Sequence, residues 1–520
     1  MNEETKTSAK MSWAARCLFA IACVATLIAL FYAEEDWRGW HQWHQFEQSW
    51  LAKGEHFNLA ASVPPPVPAD QNFAMTPIVF TSYGNILTRD AKVIPSQQRD
   101  QNFDARMRIL VAPDGQVADR FNGNRVKGTF TSLDGWQGYY RELAAKGGKA
   151  KYPVPAQPRA PATDVLLALS KFDSVIEELR TADKLPESRF PVDYDNESPW
   201  AILLPHLAPL KNCAQVLQLR SVAELQKGQS QQALEDVRLG LDLTDKIRNE
   251  PILISHLVRL AIMQLMLQPV WEGLTQHRWS EAQLQSLDEQ LAGLDFFPGY
   301  RLAMHGEMGG QTGEIGLILR HRNRLTEDLG AFGNGNNLNI PSPLTTYLMP
   351  AGWLYQNEYR CTRVVTDYYL PAADAEKGTY SPELVNQGDA ALTADTKTPS
   401  PYNWYEQLML PGLGHAVMKF AYGQTSVHLA RIAIALERYR MAHGEYPEAL
   451  DTLSPQFIAQ VPTDVIGGQP LKYRRTGDGK YVLYSVGWNG TDDRGVPVIS
   501  KGTDAGLDLS AGDWVWQAAK

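Results

Sequence analysis

The chain has 520 residues, of which 44% are apolar and 21% are charged, a balance that is typical of globular proteins. Its 14 Trp and 21 Tyr residues argue against intrinsic disorder. A net charge of −9 without any basic block argues against a nucleic-acid partner. Because a single hydrophobic core stops growing at about 250–300 residues, we expect two or three domains.

Residues 11–33 predict a transmembrane anchor. The stretch carries no charge from Cys17 to Ala33, and as a helix it would extend ~34 Å, enough to cross a hydrocarbon layer of ~30 Å. Basic residues precede it and acidic residues follow it, namely Lys6, Lys10 and Arg16, then Glu34, Glu35 and Asp36. The positive-inside rule leaves residues 1–10 as a cytoplasmic tail. We therefore expect a single-pass protein of the inner (cytoplasmic) membrane of a bacterial envelope, with its C-terminal bulk outside the cytoplasm.

A cleaved signal peptide is the main alternative to the anchor. Cleavage after Ala33 would place Phe31 at the −3 position, where a small residue is required. Lipoprotein processing at Cys23 would leave the apolar run 24–31 on the wrong side of the cut. A buried core helix is a third interpretation, but no partner hydrophobic face is nearby in the sequence. These comparisons favour the uncleaved anchor.

Residues 34–75 predict an amphipathic stalk and a stiff spacer. Aromatic residues recur at helical spacing, as in a helix that lies near lipid headgroups; they are Trp37, Trp40, Trp43, Phe46 and Trp50. Four prolines within residues 63–68 form an extended spacer and end any helix. Short β-type runs such as 107–111 and 128–131 come next. Residues 76–160 therefore predict a small mixed α/β segment.

Residues 161–410 predict a helical domain, and the chain as a whole predicts a mainly α fold. Apolar residues follow the helical period from Ala201 to Leu225, and Gly228 then marks a helix–turn–helix. This hairpin resembles one tetratricopeptide unit, but no second copy occurs at a fixed spacing. A helical bundle and a tetratricopeptide-like middle both remain open. A further helix opens at Glu250-Pro251, in which His256 is expected to be a hydrogen-bonded core residue.

Two cysteines, Cys213 and Cys361, lie outside the anchor and have no C-x-x-C spacing. A zinc site would need about four clustered ligands, and the sequence shows no such cluster. A disulfide between the two would suit an oxidising compartment. Two buried free thiols, which act as small hydrophobic residues, are the alternative that we prefer.

The chain contains no complete catalytic motif. Neither a phosphate-binding G-x-x-x-x-G-K-[ST] loop, nor H-E-x-x-H, nor G-x-S-x-G occurs. Active sites are often assembled from distant residues, so an enzyme is not excluded. An envelope hydrolase with its site in the helical domain, near His256, His305 and Glu307, is one alternative.

Residues 411–520 predict a long helix followed by a small α+β module with an antiparallel sheet. The helix is expected to run from Pro411 to about Ala442, with Gly444 as its C-cap. Alternating residues on both sides of 476–480 predict two strands, and Asp478-Gly479 is a strong hairpin signal between them.

Three motifs in this region carry a resemblance. They are the G-x-Y-P turn at 444–447, the P-x-D…G-x-P-x-x-Y segment at 462–473, and the Y-S-x-G turn at 484–487. Over about 85 residues the module resembles the globular part of a type II secretion major pseudopilin. In that family the processing site and the polymerising helix stand directly at the N-terminus. Here the anchor lies some 400 residues upstream, so the resemblance does not imply filament assembly.

The resemblance also implies a calcium site in the loop after the Y-S-x-G turn. The corresponding residues are Asn489, Asp492, Asp493 and Asp508, with Asp504 and Asp513 also near Trp514. Asn489 stands where the family has an Asp, so it offers a neutral oxygen in place of a charged one. Calcium takes six to eight oxygen ligands, and a carboxylate-rich loop has suitable chemistry. No other cofactor is expected.

The whole chain also looks like a large group of membrane-anchored bacterial envelope proteins. They share the phrases at 64–77 and 254–274 and the C-terminal module. That group has no assigned activity, so the resemblance implies architecture and location only. We expect a non-catalytic, membrane-anchored binding or scaffold protein with a protein partner in the envelope. The alternatives are the hydrolase described above and a secretion-system accessory, which the pseudopilin-like module suggests.

Overall fold

The computed structural model describes residues 12–76, 120–146, 152–323, 347–500 and 506–517, together with the backbone of two short strands, β1 (Asn85–Leu87) and β2 (Val93–Pro95). The protein is mainly α-helical, as predicted, with small antiparallel sheets in its C-terminal region. The strand expected at 107–111 lies outside the described residues.

The first helix, α1, runs without interruption over Trp13–Leu51. It begins after Ser12, whose side chain accepts a hydrogen bond from the backbone N–H of Ala15. Its N-terminal half is apolar, exposed and long enough to anchor in a membrane. The anchor and the stalk were predicted as separate helices, but nothing between them breaks helical geometry, and they form one rod.

The aromatic stripe of α1 divides into two groups, which corrects the expectation that all of it lies near headgroups. Trp37 and Trp40 are exposed, whereas Trp43 is buried. Trp43 packs on Phe57, and Phe46 packs edge-on against Tyr359, with ring centroids 5.7 and 5.2 Å apart. The C-terminal half of α1 therefore packs against the rest of the protein, which we call the folded body.

The body consists mainly of helices of unequal length. In chain order they are α2 (Leu59–Ser62), α3 (Leu133–Ala145), α4 (Pro161–Leu169), α5 (Asp173–Asp183), α6 (Leu207–Gln226), α7 (Ser230–Lys246), α8 (Leu253–Thr275), α9 (Glu281–Ala292), α10 (Phe297–Arg320), α11 (Ala351–Val364), α12 (Pro382–Thr396), α13 (Trp404–Met409) and α14 (Leu413–His443). A π-helical turn, Val365–Tyr369, extends α11.

The predicted helix–turn–helix is the antiparallel pair α6 and α7. Gly228 turns the chain between them with a positive φ of 75°, a conformation that glycine adopts at little cost. Helix α8 packs on both members of the pair and also contacts α10 and α14. Its length and apolarity would suit a membrane span, but most of it is buried. Because α8 contacts helices that precede it and helices that follow it in the chain, it forms the centre of a bundle.

The C-terminal helix and hairpin agree with their predictions. Helix α14 ends at Gly444, which takes a left-handed C-cap conformation with φ 83°. Strands β5 (Lys472–Arg475) and β6 (Tyr481–Ser485) pair in antiparallel fashion, and β9 (Trp514–Trp516) adds to the other side of β6. Two further antiparallel pairs are β3 (Ala373–Asp374) with β4 (Thr379–Tyr380), and β7 (Pro497–Ile499) with β8 (Leu507–Gly512).

Several motif residues behind the pseudopilin resemblance hold this module together. Asp464 is buried, and its carboxylate accepts hydrogen bonds from the Ser485 hydroxyl at 2.8 Å and from the backbone N–H groups of Ile466 and Val486. The hydroxyl of Tyr473 donates to the carbonyl of Pro447 at 2.7 Å. These contacts tie the turn before β5 and the end of α14 to the sheet, which gives the motif residues a structural role.

A single hydrophobic core extends from Trp43 in α1 to Trp516 in β9, and a smaller cluster lies around Cys361 and Tyr405. The division of the chain into separate domains stays a prediction. Cys213 and Cys361 are buried in different clusters and form no disulfide, which agrees with the preferred alternative. Burial raises the pKa of the Cys213 thiol to about 12, which makes it unreactive near neutral pH.

Candidate functional site

The best-formed candidate site is a cleft of about 630 Å³, which we call the His277 cleft. It lies where the C-terminal ends of α8 and α14 meet the β5–β6 hairpin and the end of β9. Its polar lining comes from His277, Glu437, Arg440 and Lys480. Its aromatic lining comes from Phe130, Tyr446, Tyr481 and Trp516.

His277 is the second residue after the end of α8, and it has an unusual backbone conformation. Its φ is 53°, in the left-handed region, which is normally occupied by glycine at this position after a helix. The backbone N–H groups of His277 and Arg278 close the helix end by donating to the carbonyls of Leu274 and Gly273, at 3.1 and 2.8 Å. A non-glycine residue there costs about 1–2 kcal/mol. Strained residues of this kind cluster at functional sites.

The carboxylate of Glu437 holds the His277 side chain in place. Its carboxylate is buried near the end of α14, and its Oε1 atom lies 2.8 Å from His277 Nδ1. Arg440 donates to both carboxylate oxygens, at 2.7 and 2.8 Å, and the Tyr446 hydroxyl donates to Oε2 at 3.2 Å. Both oxygens of Glu437 are therefore saturated by protein donors.

The network leaves polar groups that face the cleft. The contact with Glu437 raises the pKa of Arg440, which stays fully charged. His277 Nε2 has no hydrogen-bond partner among the described residues, and the side chain is half exposed. Lys480 is more than half exposed, with its ammonium 4.0 Å from the Asp478 carboxylate. Among the lining residues, Arg440 balances the charge of Glu437, and Lys480 adds one positive charge, which the neighbouring Asp478 carboxylate partly offsets.

The aromatic walls of the cleft are held by contacts behind them. Phe130 packs on Trp271 with ring centroids 5.1 Å apart, and Trp271 Nε1 donates to the carbonyl of Gln517 at 2.7 Å. The guanidinium of Arg125 lies 5.4 Å from the centre of the Trp516 ring. Rigid aromatic walls beside cationic donors suit an anionic ligand that carries a flat apolar part.

A second, wider cleft of about 1100 Å³ lies between β4, the start of α12 and the turn around Trp488. His415 and Asp389 are among its polar residues, together with Asn489. The Asp389 carboxylate accepts a hydrogen bond from the Tyr369 hydroxyl at 2.6 Å. This cleft is shallow and open, so it would bury less of a ligand than the His277 cleft.

Asn489, Asp492 and Asp493 stand in one turn, and their side chains already make hydrogen bonds within the protein. Asp492 Oδ1 accepts from the Tyr484 hydroxyl at 2.9 Å, and its Oδ2 lies 4.0 Å from the Lys472 ammonium. The Asn489 amide nitrogen donates to Asp493 Oδ2 at 3.3 Å. The hydrogen bond from the backbone N–H of Arg494, at 3.0 Å, and then that from the Tyr484 hydroxyl lower the pKa of Asp492.

Asp508 and Asp513 are two further acidic residues of the predicted calcium site, and Asp504 lies outside the described residues. Asp508 accepts from the backbone and side chain of Ser510, at 3.0 and 2.6 Å. Asp513 is buried and accepts from the backbone N–H groups of Asp493 and Gly495, at 3.2 and 2.6 Å. Within the described ranges, no three His, Cys, Asp or Glu side chains converge as metal ligands. The calcium site stays a prediction.

His256 is a core residue, as the sequence analysis expected. It is fully buried, and its Nε2–H donates to the carbonyl of Glu250 at 2.8 Å. Burial, helped by the charge of Arg259, lowers its pKa to about 3, so the ring is neutral at any physiological pH. Neither cleft described above is lined by it.

His305 and Glu307, the other hydrolase candidates, have structural partners. His305 Nε2 lies 3.2 Å from Glu55 Oε2, and Arg301 binds the other oxygen of Glu55 at 2.6 Å. Glu307 accepts a hydrogen bond from the backbone N–H of Leu253 at the start of α8, and burial raises its pKa to about 7. The two residues join secondary-structure elements, and neither lines the clefts described above.

The residues of the His277 cleft were missed by the sequence analysis. They come from positions around 130, 277, 437–446, 480 and 516, and no motif connects such distant segments. The only local signal was Gly444, which marked the end of α14 but said nothing about its neighbours. Compared with protein-family models, with curated proteins and with solved structures, the chain matches none of them.

Proposed function

We propose that this protein is a membrane-anchored binding protein of the bacterial envelope, which captures an anionic ligand in the His277 cleft. Helix α1 anchors it in the cytoplasmic membrane, with the body on the outer side, because basic residues precede the apolar half and acidic residues follow it. The observation that carries the binding proposal is the pair of cationic side chains that line the cleft, Arg440 and Lys480, whereas both carboxylate oxygens of Glu437 already accept hydrogen bonds from protein donors.

The same network makes Glu437 a poor general base. A general base needs a free lone pair within hydrogen-bonding distance of the ligand. Each oxygen of Glu437 already accepts from Arg440, and one also accepts from His277 and the other from Tyr446. Glu437 could accept a proton only by giving up one of these contacts. Its evident role is to orient His277 and Arg440 toward the ligand.

The binding proposal is tested with small probes of defined charge. Detergent-solubilised full-length protein is titrated with benzoate and phenyl phosphate in a calorimeter, and with benzyl alcohol and benzylamine as neutral and cationic controls of similar shape. We expect the two anions to bind and the controls to bind more weakly by about tenfold or more, or ~1.4 kcal/mol. Equal binding of all four compounds would contradict an anion site.

A matched pair of lysine variants locates the binding. Lys480→Gln removes a charge from the cleft, whereas Lys472→Gln removes a similarly exposed lysine from the neighbouring strand, outside the cleft lining. We expect Lys480→Gln to weaken anion binding several-fold and Lys472→Gln to leave it unchanged. Equal effects would show that the anions respond only to overall charge.

The proposed topology has its own test. A reporter that is active only outside the cytoplasm should function when fused after Glu55 and fail when fused at residue 5. The protein should need detergent for extraction from membranes. Release of the intact chain by carbonate would contradict the anchor.

A further inference from the structure

The folded body is joined rigidly to the rod that carries the apolar segment. Helices α1 and α11 cross where Gly39 meets Gly352, and the contact is so close that a Cβ on Gly39 would lie 2.1 Å from the carbonyl oxygen of Gly352. Glu35, buried on α1, accepts from Trp353 Nε1 at 3.0 Å and from the Tyr402 hydroxyl at 3.0 Å. The body therefore cannot swing freely about the end of the anchor.

One short segment of the body lies beside the last apolar turn of the anchor. The hydroxyl of Tyr32 donates to the carbonyl of Leu348, and the ring of Phe31 makes an edge contact with Trp353, with centroids 6.4 Å apart. Next to these contacts, the side chains of Tyr347 and Leu348 are 62% and 59% exposed. Two neighbouring large apolar side chains thus face outward where the body meets the anchor.

The length of α1 places this segment at the bilayer surface. From Trp13 to Tyr32 a helix rises about 29 Å, which equals the hydrocarbon thickness of about 30 Å. When Trp13 lies at the inner interface, Tyr32 lies at the outer one, and Leu348 lies beside it. Trp37, which is also exposed, is ~7.5 Å further along the helix and reaches the headgroup layer.

We propose that Tyr347 and Leu348 form a second membrane contact, which enters the outer headgroup layer of the same bilayer that α1 crosses. This inference rests on the proposed anchoring by α1. A tyrosine and a leucine suit that layer, because an amphipathic ring favours the interface and an aliphatic side chain gains by leaving water. With the rigid crossing at Gly39, two contacts hold the body in one orientation on the membrane surface.

Tyr347 and Leu348 contact a lipid surface rather than a partner protein, because the anchor fixes the height of these two side chains relative to the bilayer. Tyr32, which contacts Leu348, and Phe31, which contacts Trp353, both belong to the boundary of the apolar segment. Any bilayer that covers Phe31 must also approach Leu348. The charged residues of α1, Glu34 and Arg38, begin immediately beyond this level and pair with each other at 3.3 Å.

The test measures depth in the bilayer with a quenchable fluorophore. Full-length protein with Cys17→Ser and Cys23→Ser is labelled with an NBD dye at one introduced cysteine and reconstituted in phosphatidylethanolamine–phosphatidylglycerol vesicles with or without brominated acyl chains. The labelled variants are Leu348→Cys, Leu27→Cys in the apolar half of α1, and Val496→Cys in the C-terminal region. All three native side chains are exposed, at 59%, 66% and 58%.

We expect brominated lipid to quench the labels at 27 and 348 and to leave the label at 496 bright. Quenching at 27 without quenching at 348 would overturn the second contact while leaving the anchor intact. Failure to quench at 27 would overturn the anchor, and with it this inference. Equal quenching at all three positions would also overturn it, because the body would then lie on the lipid without a specific contact.

Discussion

His277 Nδ1 lies 2.8 Å from Glu437 Oε1, although the two residues are 160 positions apart in the chain. This contact joins the C-terminal ends of α8 and α14. It also explains why a histidine occupies a left-handed position that glycine normally takes after a helix. A glycine would close α8 with less strain, but it would bring no imidazole to the cleft.

The backbone strain at residue 277 is tested by comparing His277→Gly with His277→Ala. Both variants lose the contact with Glu437, but only alanine keeps the energetic penalty of a positive φ. The free energy needed to open the end of α8 should therefore be about 1 kcal/mol higher in the glycine variant. In hydrogen–deuterium exchange, the peptide covering 272–279 should then exchange about fivefold faster in the alanine variant. Equal exchange rates would show that the left-handed conformation does not persist in solution.

Glu307 predicts a pH dependence of stability. Its folded pKa of about 7 exceeds the ordinary value of 4.5 because of burial. The folded state therefore holds a proton that the unfolded chain releases, and this stabilisation is present below pH 4.5 and is lost as pH rises through about 7. Glu307→Gln is neutral at every pH, so it should match the native protein at pH 5 and exceed its stability by up to ~3 kcal/mol at pH 8.5.

Urea unfolding of the full chain at the two pH values measures this difference. Glu142→Gln is the control, because Glu142 is exposed and paired only with Lys146 among the described residues. That variant should shift the unfolding midpoint little, and equally at both pH values. A stability gain for Glu307→Gln that is as large at pH 5 as at pH 8.5 would refute the raised pKa.

The close crossing of α1 and α11 predicts opposite effects for two glycine substitutions. Gly39→Ala would place a methyl group 2.1 Å from the Gly352 carbonyl oxygen, and the overpacking should cost about 1–3 kcal/mol. Gly138→Ala in α3 meets no atom within 4 Å, so it should gain about 0.5–1 kcal/mol from helix propensity. Urea midpoints of the two variants are the measurement. A stabilising Gly39→Ala would mean that the helices are further apart than described.

The predicted calcium site can be tested on the full chain. Bound calcium would raise the melting temperature relative to chelator, by linkage worth ~2.7 kcal/mol at a hundredfold excess over Kd. The double variant Asp492→Asn, Asp493→Asn should abolish the rise. The Asp492 carboxylate accepts a hydrogen bond from Tyr484. Tyr484→Phe should therefore free this carboxylate to bind calcium and enlarge the rise in melting temperature. An unchanged melting temperature in millimolar calcium would remove the site.

The elements that the sequence predicted well depend on neighbouring residues. The end of α14 at Gly444, the turn at Gly228 and the hairpin around Asp478 are local events, in which a left-handed glycine or a tight turn decides the chain direction. The apolar half of α1 is equally local, because its length and lack of charge are visible without any tertiary contact. Burial of His256 followed from the helical period alone.

Tertiary packing decided the features that bear on function. The composition of α1 changes abruptly after Ala33, yet the helix continues, because charged residues do not break a helix and α11 packs along it. Glu55 could not be paired with His305 from the sequence, nor Glu437 with His277. A hydrogen bond between residues 160 or more positions apart leaves no local pattern, since the fold alone brings the two side chains together. The His277 cleft and the contact between Tyr32 and Leu348 are of that kind.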